Sequence, residues 1–209
     1  MAERLPALGV DLPAPGEKLD LAAAFPGRPR EIWLEIGFGG GEHLAWQAER
    51  HPNIGFIGAE VFEQGVARLL RRLDDAGLAN VRVHHGDGRD MIDALPEHAI
   101  GRVFVLFPDP WPKARHHKRR LIRADIVTAL AGIMTDRAEL RLATDDMDYV
   151  RWMLERLVGH PAFEWTARGA EDWRTRPDDW PETRYEAKAR AQGRRPAFLR
   201  FRRRPRERA

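Results

Sequence analysis

Short apolar runs alternate with amphipathic stretches along most of this 209-residue chain. Apolar runs bounded by glycine or proline are typical of buried strands, and apolar residues spaced three and four apart are typical of helices. The pattern predicts strands at 31–36, 55–61, 81–85, 103–107 and 138–144, and helices at 42–50, 63–76, 124–134 and 147–158. Strands that alternate with helices are joined by crossovers, so we expect a doubly wound α/β fold with a mostly parallel sheet.

The segment after Pro161 departs from this alternation. Apolar runs at 163–166 and 197–202 predict two further strands, separated by a polar loop that contains tryptophan and by a helix at 183–192. Strands so close in sequence suggest antiparallel additions at one sheet edge. The expected sheet therefore has seven strands, followed by a basic tail at 203–209.

Length and composition favour one soluble domain that spans residues 1–209. Residues 1–29 are rich in proline, glycine and alanine, and predict a loosely attached lead-in with one short helix at 19–25. No apolar stretch has the length of a membrane span, and Glu3 and Arg4 precede a segment without the apolar core of a signal peptide. We therefore expect a cytoplasmic protein without membrane contact.

The sequence contains no cysteine, which excludes several kinds of chemistry. Disulfides, thiolate zinc sites, iron–sulfur clusters and cysteine nucleophiles all need that side chain. The histidine pairs at 84–85 and 116–117 lack a clear third ligand nearby. No metal site is predicted.

A glycine turn follows the first predicted strand. Gly37, Gly39 and Gly41 form the pattern G-x-G-x-G, and Glu42 stands where a dinucleotide-binding turn has its third glycine. A carboxylate at the start of a helix repels a pyrophosphate and so disfavours a dinucleotide cofactor. A cofactor with a ribose and an amino acid end but no phosphate is compatible with this carboxylate, and S-adenosylmethionine is such a molecule.

Acidic residues stand at the ends of five successive strands: Glu35, Glu60, Asp87, Asp109 and Asp145. Ligands of open α/β sheets bind in the crevice at the carboxyl ends of the strands. Any one of these acids alone is more often a helix cap, but five together favour a cofactor site. Glu35 is suited to attract an ammonium, Glu60 to accept hydrogen bonds from both ribose hydroxyls, and Asp87 to meet the adenine amine.

The fourth strand leads into the stretch FPDPWPKARHHKRR. Asp109 lies between two prolines, which fix φ and remove two backbone donors, so its side chain projects from a stiff turn. Trp111 offers a flat face for a nucleobase. Basic residues follow without an acid among them, and favour phosphate binding over a merely solvated face: Lys113, Arg115, Lys118, Arg119 and Arg120.

The chain resembles the bacterial tRNA (guanine-N7-)-methyltransferases from about Leu19 to Phe201. The resemblance rests on the stretches EIGFGGGEH, IGAEVFEQGV, FPDPWPKARHHKRR, LATDD and TRYE. It implies a class I, Rossmann-like methyltransferase that uses S-adenosylmethionine to methylate N7 of the variable-loop guanosine of tRNA. Family members occur as monomers or dimers, and no protein partner is required.

The resemblance also implies roles for individual residues. Asp109 would be the catalytic residue. Together with the glycine turn, the cofactor-binding positions would be Glu35, Gly37, Gly39, Gly41, Glu60, Asp87 and Asp109. The substrate-binding positions would be Lys113, Asp145, Thr183, Arg184, Tyr185 and Glu186. The RNA would lie along Arg115, His116, His117, Lys118, Arg119 and Arg120.

The sequence is compatible with three other functions. The D-P-W sequence loosely resembles the D/N-P-P-aromatic loop of enzymes that methylate exocyclic amines of nucleobases. A non-catalytic RNA-binding protein could have inherited the same fold. A nicotinamide oxidoreductase is the most distant alternative, because Glu42 opposes a pyrophosphate at the glycine turn.

Overall fold

The computed structural model describes the backbone of residues 5–207 and the side chains of residues 7–207. The strands are β1 Glu31–Ile36, β2 Ile54–Glu60, β3 Val81–His85, β4 Ile100–Leu106, β5 Met134–Thr144, β6 Phe163–Trp165 and β7 Ala197–Arg203. The helices are α1 Leu5–Leu8, α2 Leu21–Ala24, α3 Glu42–Arg50, α4 Glu63–Asp75, α5 Gly88–Ala94, α6 Ala124–Ile133, α7 Met147–Leu157, α8 Glu171–Arg174 and α9 Arg184–Ala191. A 3₁₀ helix covers Ala114–Arg119. Within the described residues, no helix is long and apolar enough to cross a bilayer.

The strands form one seven-stranded sheet in the order β3-β2-β1-β4-β5-β7-β6. Strands β1 to β5 run parallel, whereas β7 is antiparallel to both β5 and β6. The predicted doubly wound sheet with antiparallel C-terminal strands is confirmed. The strand order reverses between β1 and β4, and the crevice at such a reversal is where α/β sheets bind ligands.

Helices cover both faces of the sheet, which explains why its central strands read as continuous apolar runs. Trp33 and Phe104 pack on the face covered by α3 and α4. Their neighbours Leu34 and Val103 point to the opposite face and pack with residues of α6 and α7. The alternation of side chains along a strand therefore fills two cores from the same few residues.

The sequence pattern did not predict α1, α5, α8 or the 3₁₀ helix, and of these α5 follows β3 directly at the ligand edge of the sheet. Helix α5 has seven residues and begins at Gly88, a residue that normally weakens helices. It is too short to show a helical period, but Asp87 caps its first turn by accepting a hydrogen bond from the backbone N–H of Arg89. Asp87 is thus a helix cap at the ligand edge of the sheet.

The expectation of a loosely attached lead-in is wrong for residues 9–29. The Val10 N–H donates to the Val83 carbonyl at 2.9 Å, and the Leu19 N–H donates to the Ala94 carbonyl at 2.8 Å. Val10 and Phe25 are buried in the core. Extended backbone can attach to a sheet without any hydrophobic period, so the proline-rich composition gave no sign of this contact. Residues 1–4 lie outside the described part of the chain.

The predicted basic tail at 203–209 is bound to the fold over residues 203–206. Arg203 is the last residue of β7 and its side chain is buried. The Arg206 guanidinium pairs with Asp136 at 2.6 Å and also donates to three carbonyls near the junction of α6 and β5. These arginines therefore close the end of α6, and residues 208–209 lie outside the described part of the chain.

Candidate functional site

The turn between β1 and α3 has an unusual backbone. Gly37, Gly39 and Gly41 have φ values of 72°, 58° and 73°, in the left-handed region that favours glycine. At Gly41 an added Cβ would also lie only 2.5 Å from Cδ1 of Leu69. The pattern G-x-G-x-G therefore reflects both conformation and close packing, and it presents bare backbone at the ligand edge.

Glu60, the last residue of β2, ties this turn to the neighbouring strand end. One carboxylate oxygen accepts a hydrogen bond from the Gly39 N–H at 2.7 Å. The other accepts from the Val61 N–H at 2.8 Å and from the Phe62 N–H at 3.0 Å. The residue is only 6% exposed. A carboxylate has about four lone-pair sites, so capacity remains for a ligand hydroxyl.

Asp87 lies at the end of β3, held by an arginine that the sequence did not single out. Arg89 donates from Nε to Asp87 at 3.0 Å, and its Nη2 makes a second contact with the same carboxylate. This side-chain hydrogen bond holds the pKa of Asp87 below its usual value. Asp87 is therefore an ionised acceptor at neutral pH.

Asp109 projects from a corner between β4 and the 3₁₀ helix. The residues Phe107 and Trp111 have positive φ values of 53° and 45°, although neither is glycine. Backbone strain of this kind clusters at functional sites and persists only where the surroundings hold it. Asp109 is exposed and, within the described residues, makes no hydrogen bond or ion pair. Its carboxylate is therefore free to accept from a ligand.

These strand ends surround one cavity of about 300 Å³. Its walls include Gly37, Glu60, Asp87, Asp109, Arg119 and Tyr185. This volume lies at the lower end of the range for small-molecule sites. Backbone from the glycine turn, a buried carboxylate with spare acceptor capacity and an ionised Asp87 together fit the ribose and adenine of S-adenosylmethionine.

Glu35 lies beside this cavity rather than on its wall. It is buried, and its Oε2 lies 2.7 Å from Nδ1 of His43. It borders a smaller adjoining hollow together with Gly37, Thr183 and Tyr185. Tyr185 borders both spaces. Glu35 therefore lies close to the site, in a hollow that shares Gly37 and Tyr185 with the main cavity.

The segment that contains Thr183 to Glu186 approaches the site from the C-terminal part of the chain. Thr183 caps α9 through the Glu186 N–H at 3.2 Å. The Tyr185 ring stacks on Phe107, with ring centroids 6.4 Å apart and planes 20° from parallel. Arg184 donates to the Tyr185 hydroxyl at 3.1 Å. Two of the predicted substrate positions, Arg184 and Tyr185, are thus exposed beside the cavity.

Glu186 does not fit the predicted role of contacting substrate. It is 1% exposed and pairs with Arg190 at 2.6 Å and with Arg176 at 3.1 Å. Burial raises the pKa of Glu186, against the opposite effect of the two guanidiniums. Glu186 therefore holds α9 against the preceding loop. The prediction failed because a short sequence motif cannot show which of its side chains points inward.

The remaining substrate positions lie near the cavity but do not line it. Asp145 follows β5 and pairs with Arg194 at 3.0 Å. Lys113 is exposed at the start of the 3₁₀ helix and, within the described residues, its side chain makes no ion pair. Lys113 follows the corner that contains Asp109, and Asp145 follows the strand that pairs with β4.

The basic segment presents most of its charge to solvent. Arg115, Lys118 and Arg119 are exposed, and the Arg119 guanidinium lies over the Trp111 ring at 4.8 Å. His116 and His117 are half-buried against aromatic rings, the first on Trp111 at 5.9 Å and the second on Trp152 at 5.3 Å.

Arg120 is the exception in this segment, and its predicted role in RNA binding is wrong. The side chain is 1% exposed. It donates to the Pro110 carbonyl at 2.7 Å and to Asp148 at 2.5 Å. A run of charges in the sequence cannot show which member turns inward.

Three residues at the site were missed by sequence reasoning. Phe62 is 71% exposed on the cavity wall, where an apolar ring is suited to pack on a flat ligand. The position of Phe62 two residues after Glu60 was a signal that could have been used. Arg89 and His43 act through the carboxylates of Asp87 and Glu35, and nothing in the sequence indicates those pairings.

The chain is similar to known methyltransferases. A family profile described as "Putative methyltransferase" matches residues 29–199. The tRNA (guanine-N(7)-)-methyltransferase of Rhodospirillum rubrum is 53% identical over 204 residues, which cover 97% of this chain and 80% of the relative.

Solved structures show the same fold at low identity. The 16S rRNA methyltransferase KamB superposes with a TM-score of 0.63 at 15% identity, over 90% of this chain and 95% of that one. A mutant 16S rRNA (adenine(1408)-N(1))-methyltransferase from Catenulisporales acidiphilia, solved with the cosubstrate SAM, gives a TM-score of 0.57 at 16% identity, over 95% of this chain and 98% of that one. The chain thus shares its fold with these methyltransferases.

Proposed function

The chain belongs to the bacterial tRNA (guanine-N7-)-methyltransferase family, and we propose that it methylates N7 of the variable-loop guanosine of tRNA with S-adenosylmethionine. One observation supports this proposal more than any other. Glu60, Asp87 and Asp109 come from the ends of three different strands, and all three line one cavity that opens beside an exposed basic segment.

S-adenosylmethionine supplies an electrophilic methyl group on a sulfonium. We assign Glu60 to the ribose hydroxyls and Asp87 to the adenine amine. Gly37, whose positive φ leaves its backbone bare, lines the cavity where a ligand approaches closely. We assign Glu35 to the ammonium group of the cofactor. Glu35 lines the smaller hollow, and Tyr185 borders both this hollow and the main cavity.

Guanine N7 has an in-plane lone pair and no proton, so its methylation needs no general base. The protein instead aligns N7 with the reacting carbon, and such alignment can contribute about 7 to 11 kcal/mol. The product ring is cationic. Asp109 orients guanine through its N–H edge and stabilises the developing positive charge. Because Asp109 has no partner within the described residues, it is available for both tasks.

The RNA backbone lies along the exposed cations of the 3₁₀ helix. Lys113, Arg115, Lys118 and Arg119 provide unpaired positive charge next to the cavity. Trp111 offers a ring for base stacking, and Thr183 to Tyr185 close the opposite side. The protein acts in the cytoplasm, as a monomer or homodimer, without a protein partner.

The test is to incubate the protein with tRNA and labelled S-adenosylmethionine, and then to locate the modified nucleotide. Borohydride and aniline cleave RNA at N7-methylguanosine, so the labelled tRNA should be cut at one variable-loop guanosine. Label that resists this cleavage would instead indicate an exocyclic amine as the acceptor. If calorimetry detects no binding of S-adenosylmethionine, the result would favour a non-catalytic RNA-binding protein.

A further inference from the structure

Arg120 is a buried cation with an unusual set of contacts. Its guanidinium lies 5.0 Å from the ring centroid of Tyr149 and 4.8 Å from that of Trp152. Nε donates to the Pro110 carbonyl at 2.7 Å, and Nη2 donates to Asp148 at 2.5 Å. A buried charge is costly unless it is paired and hydrogen-bonded. The fold therefore places this charge at a defined point, beneath the corner that contains Asp109.

The corner has few hydrogen bonds to hold it. Proline at positions 108, 110 and 112 removes three backbone donors. Within the described residues, the bond from Arg120 is the only hydrogen bond made by residues 108–112. Phe107, which precedes this corner, and Trp111, which lies within it, both have positive φ. Strained backbone keeps one conformation only when its surroundings determine it.

We propose that Arg120 is a positioning residue for methyl transfer, which fixes the Pro108–Trp111 corner so that Asp109 faces the cavity. This inference rests on the proposed function, because Asp109 is the residue whose placement it explains. Arg120 acts from behind the corner, through the Pro110 carbonyl. It therefore affects the chemical step without contacting RNA or cofactor.

The geometry requires a guanidinium rather than any cation. Two nitrogens of one planar group reach two acceptors on different segments, Pro110 and Asp148, while its faces lie against two rings. A lysine ammonium is a compact charge that lacks this planar fork. Arg120→Lys therefore keeps the charge but loses one of the two bonds.

The experiment compares Arg120→Lys and Arg120→Ala with Arg203→Lys. Arg203 is a matched control because it is also a buried arginine that donates to a backbone carbonyl, that of Ala131, away from the cavity. For each variant we would measure kcat and KM for tRNA, the Kd of S-adenosylmethionine by calorimetry, the salt dependence of tRNA binding and the Tm. Cleavage by trypsin after Lys113, followed by mass spectrometry, reports the mobility of the corner without any activity measurement.

We expect kcat to fall about 100-fold in both Arg120 variants, since a displacement of about 1 Å at a reacting group can cost that much. The Kd of S-adenosylmethionine should stay within twofold of the wild type, the salt slope should be unchanged, and cleavage after Lys113 should accelerate. Methylguanidinium should restore part of the kcat of Arg120→Ala but none of that of Asp109→Ala. Arg203→Lys should lower the Tm and leave kcat unchanged.

Three results would overturn the inference. A fall in Tm with unchanged kcat would make Arg120 a purely structural residue. A smaller salt slope with unchanged kcat would make it a phosphate contact. An Arg120→Ala variant that methylguanidinium does not rescue, with trypsin cleavage as slow as in the wild type, would show that the corner does not depend on it. A wild-type protein that forms no N7-methylguanosine would instead refute the proposed function, whatever the cleavage rates show.

Discussion

The two sides of the cavity are built differently. On the cofactor side, the carboxylate of Glu60 accepts three backbone hydrogen bonds and is almost fully buried. On the substrate side, Asp109 is exposed and has no partner within the described residues, and Lys113 likewise points into solvent. The carboxylate on the cofactor side is therefore already held in the free protein, whereas the polar groups of Asp109 and Lys113 make no hydrogen bond or ion pair there within the described residues.

Long side chains, rather than backbone bonds, hold the substrate side. Arg120 supports the Asp109 corner, Arg194 pairs with Asp145, and Glu186 is clamped by two arginines. A single substitution can remove one of these side chains, whereas the glycine turn depends on backbone hydrogen bonds. Substitutions on the substrate side should therefore lower activity alone, and substitutions on the cofactor side should lower both activity and stability.

The largest effect on activity is expected on the substrate side. Asp109→Ala should lower kcat about 100- to 1,000-fold, as the loss of one electrostatic contact to a transition state commonly does. Folding should be unaffected, because the exposed carboxylate makes no bond in the free protein. Single-turnover methylation and thermal unfolding measure the two properties. Asp109→Asn serves as the matched control that keeps the shape and loses the charge, and full activity of Asp109→Ala would refute the assignment.

Glu60→Ala should affect both properties on the cofactor side. The Kd of S-adenosylmethionine should rise about 100-fold, since hydrogen bonds to a charged group contribute about 1.5 to 3 kcal/mol each. The free energy of unfolding should fall by about 2 kcal/mol, because three backbone N–H groups lose their acceptor. Calorimetry and urea denaturation provide the measurements. A variant as stable as the wild type would show that the glycine turn does not depend on Glu60.

The sequence predicted the cofactor side better than the substrate side, for a physical reason. Strand ends and glycine turns follow from local patterns, so Gly37, Glu60 and Asp87 could be assigned to one crevice, and all three line the same cavity. The direction of a side chain in a short helix or a turn depends on tertiary contacts. The inward turns of Arg120 and Glu186, and the pairing of Arg89 with Asp87, therefore left no trace in the sequence.

The basic segment allows a test of the difference between exposed Arg119 and its buried neighbour Arg120. Arg119→Ala should reduce the slope of log K against log salt for tRNA binding by about 0.7 to 0.9, the contribution of one phosphate contact. Arg120→Ala should leave the slope unchanged, since Arg120 is buried and presents no charge to RNA. Filter binding between low and moderate salt measures both slopes. Arg119→Lys keeps the charge and should retain the wild-type slope, and equal slopes for the two alanine variants would contradict the burial of Arg120.

The smallest expected effect concerns Asp87, which lies on the cofactor side but is held by a side chain. Arg89→Ala removes the hydrogen bond that lowers the pKa of Asp87, so that pKa should rise towards its usual value, while the backbone cap of α5 remains. A lowered carboxyl pKa contributes stability above the unfolded-state pKa, and this contribution is lost as the pH falls through the folded-state pKa. The variant should therefore be less stable than the wild type at pH 7, by about 0.2 to 1 kcal/mol for so exposed a pair. Urea denaturation should show this difference narrowing in acid, and a difference that persists below the titration range of Asp87 would mean that Arg89 stabilises α5 by packing instead.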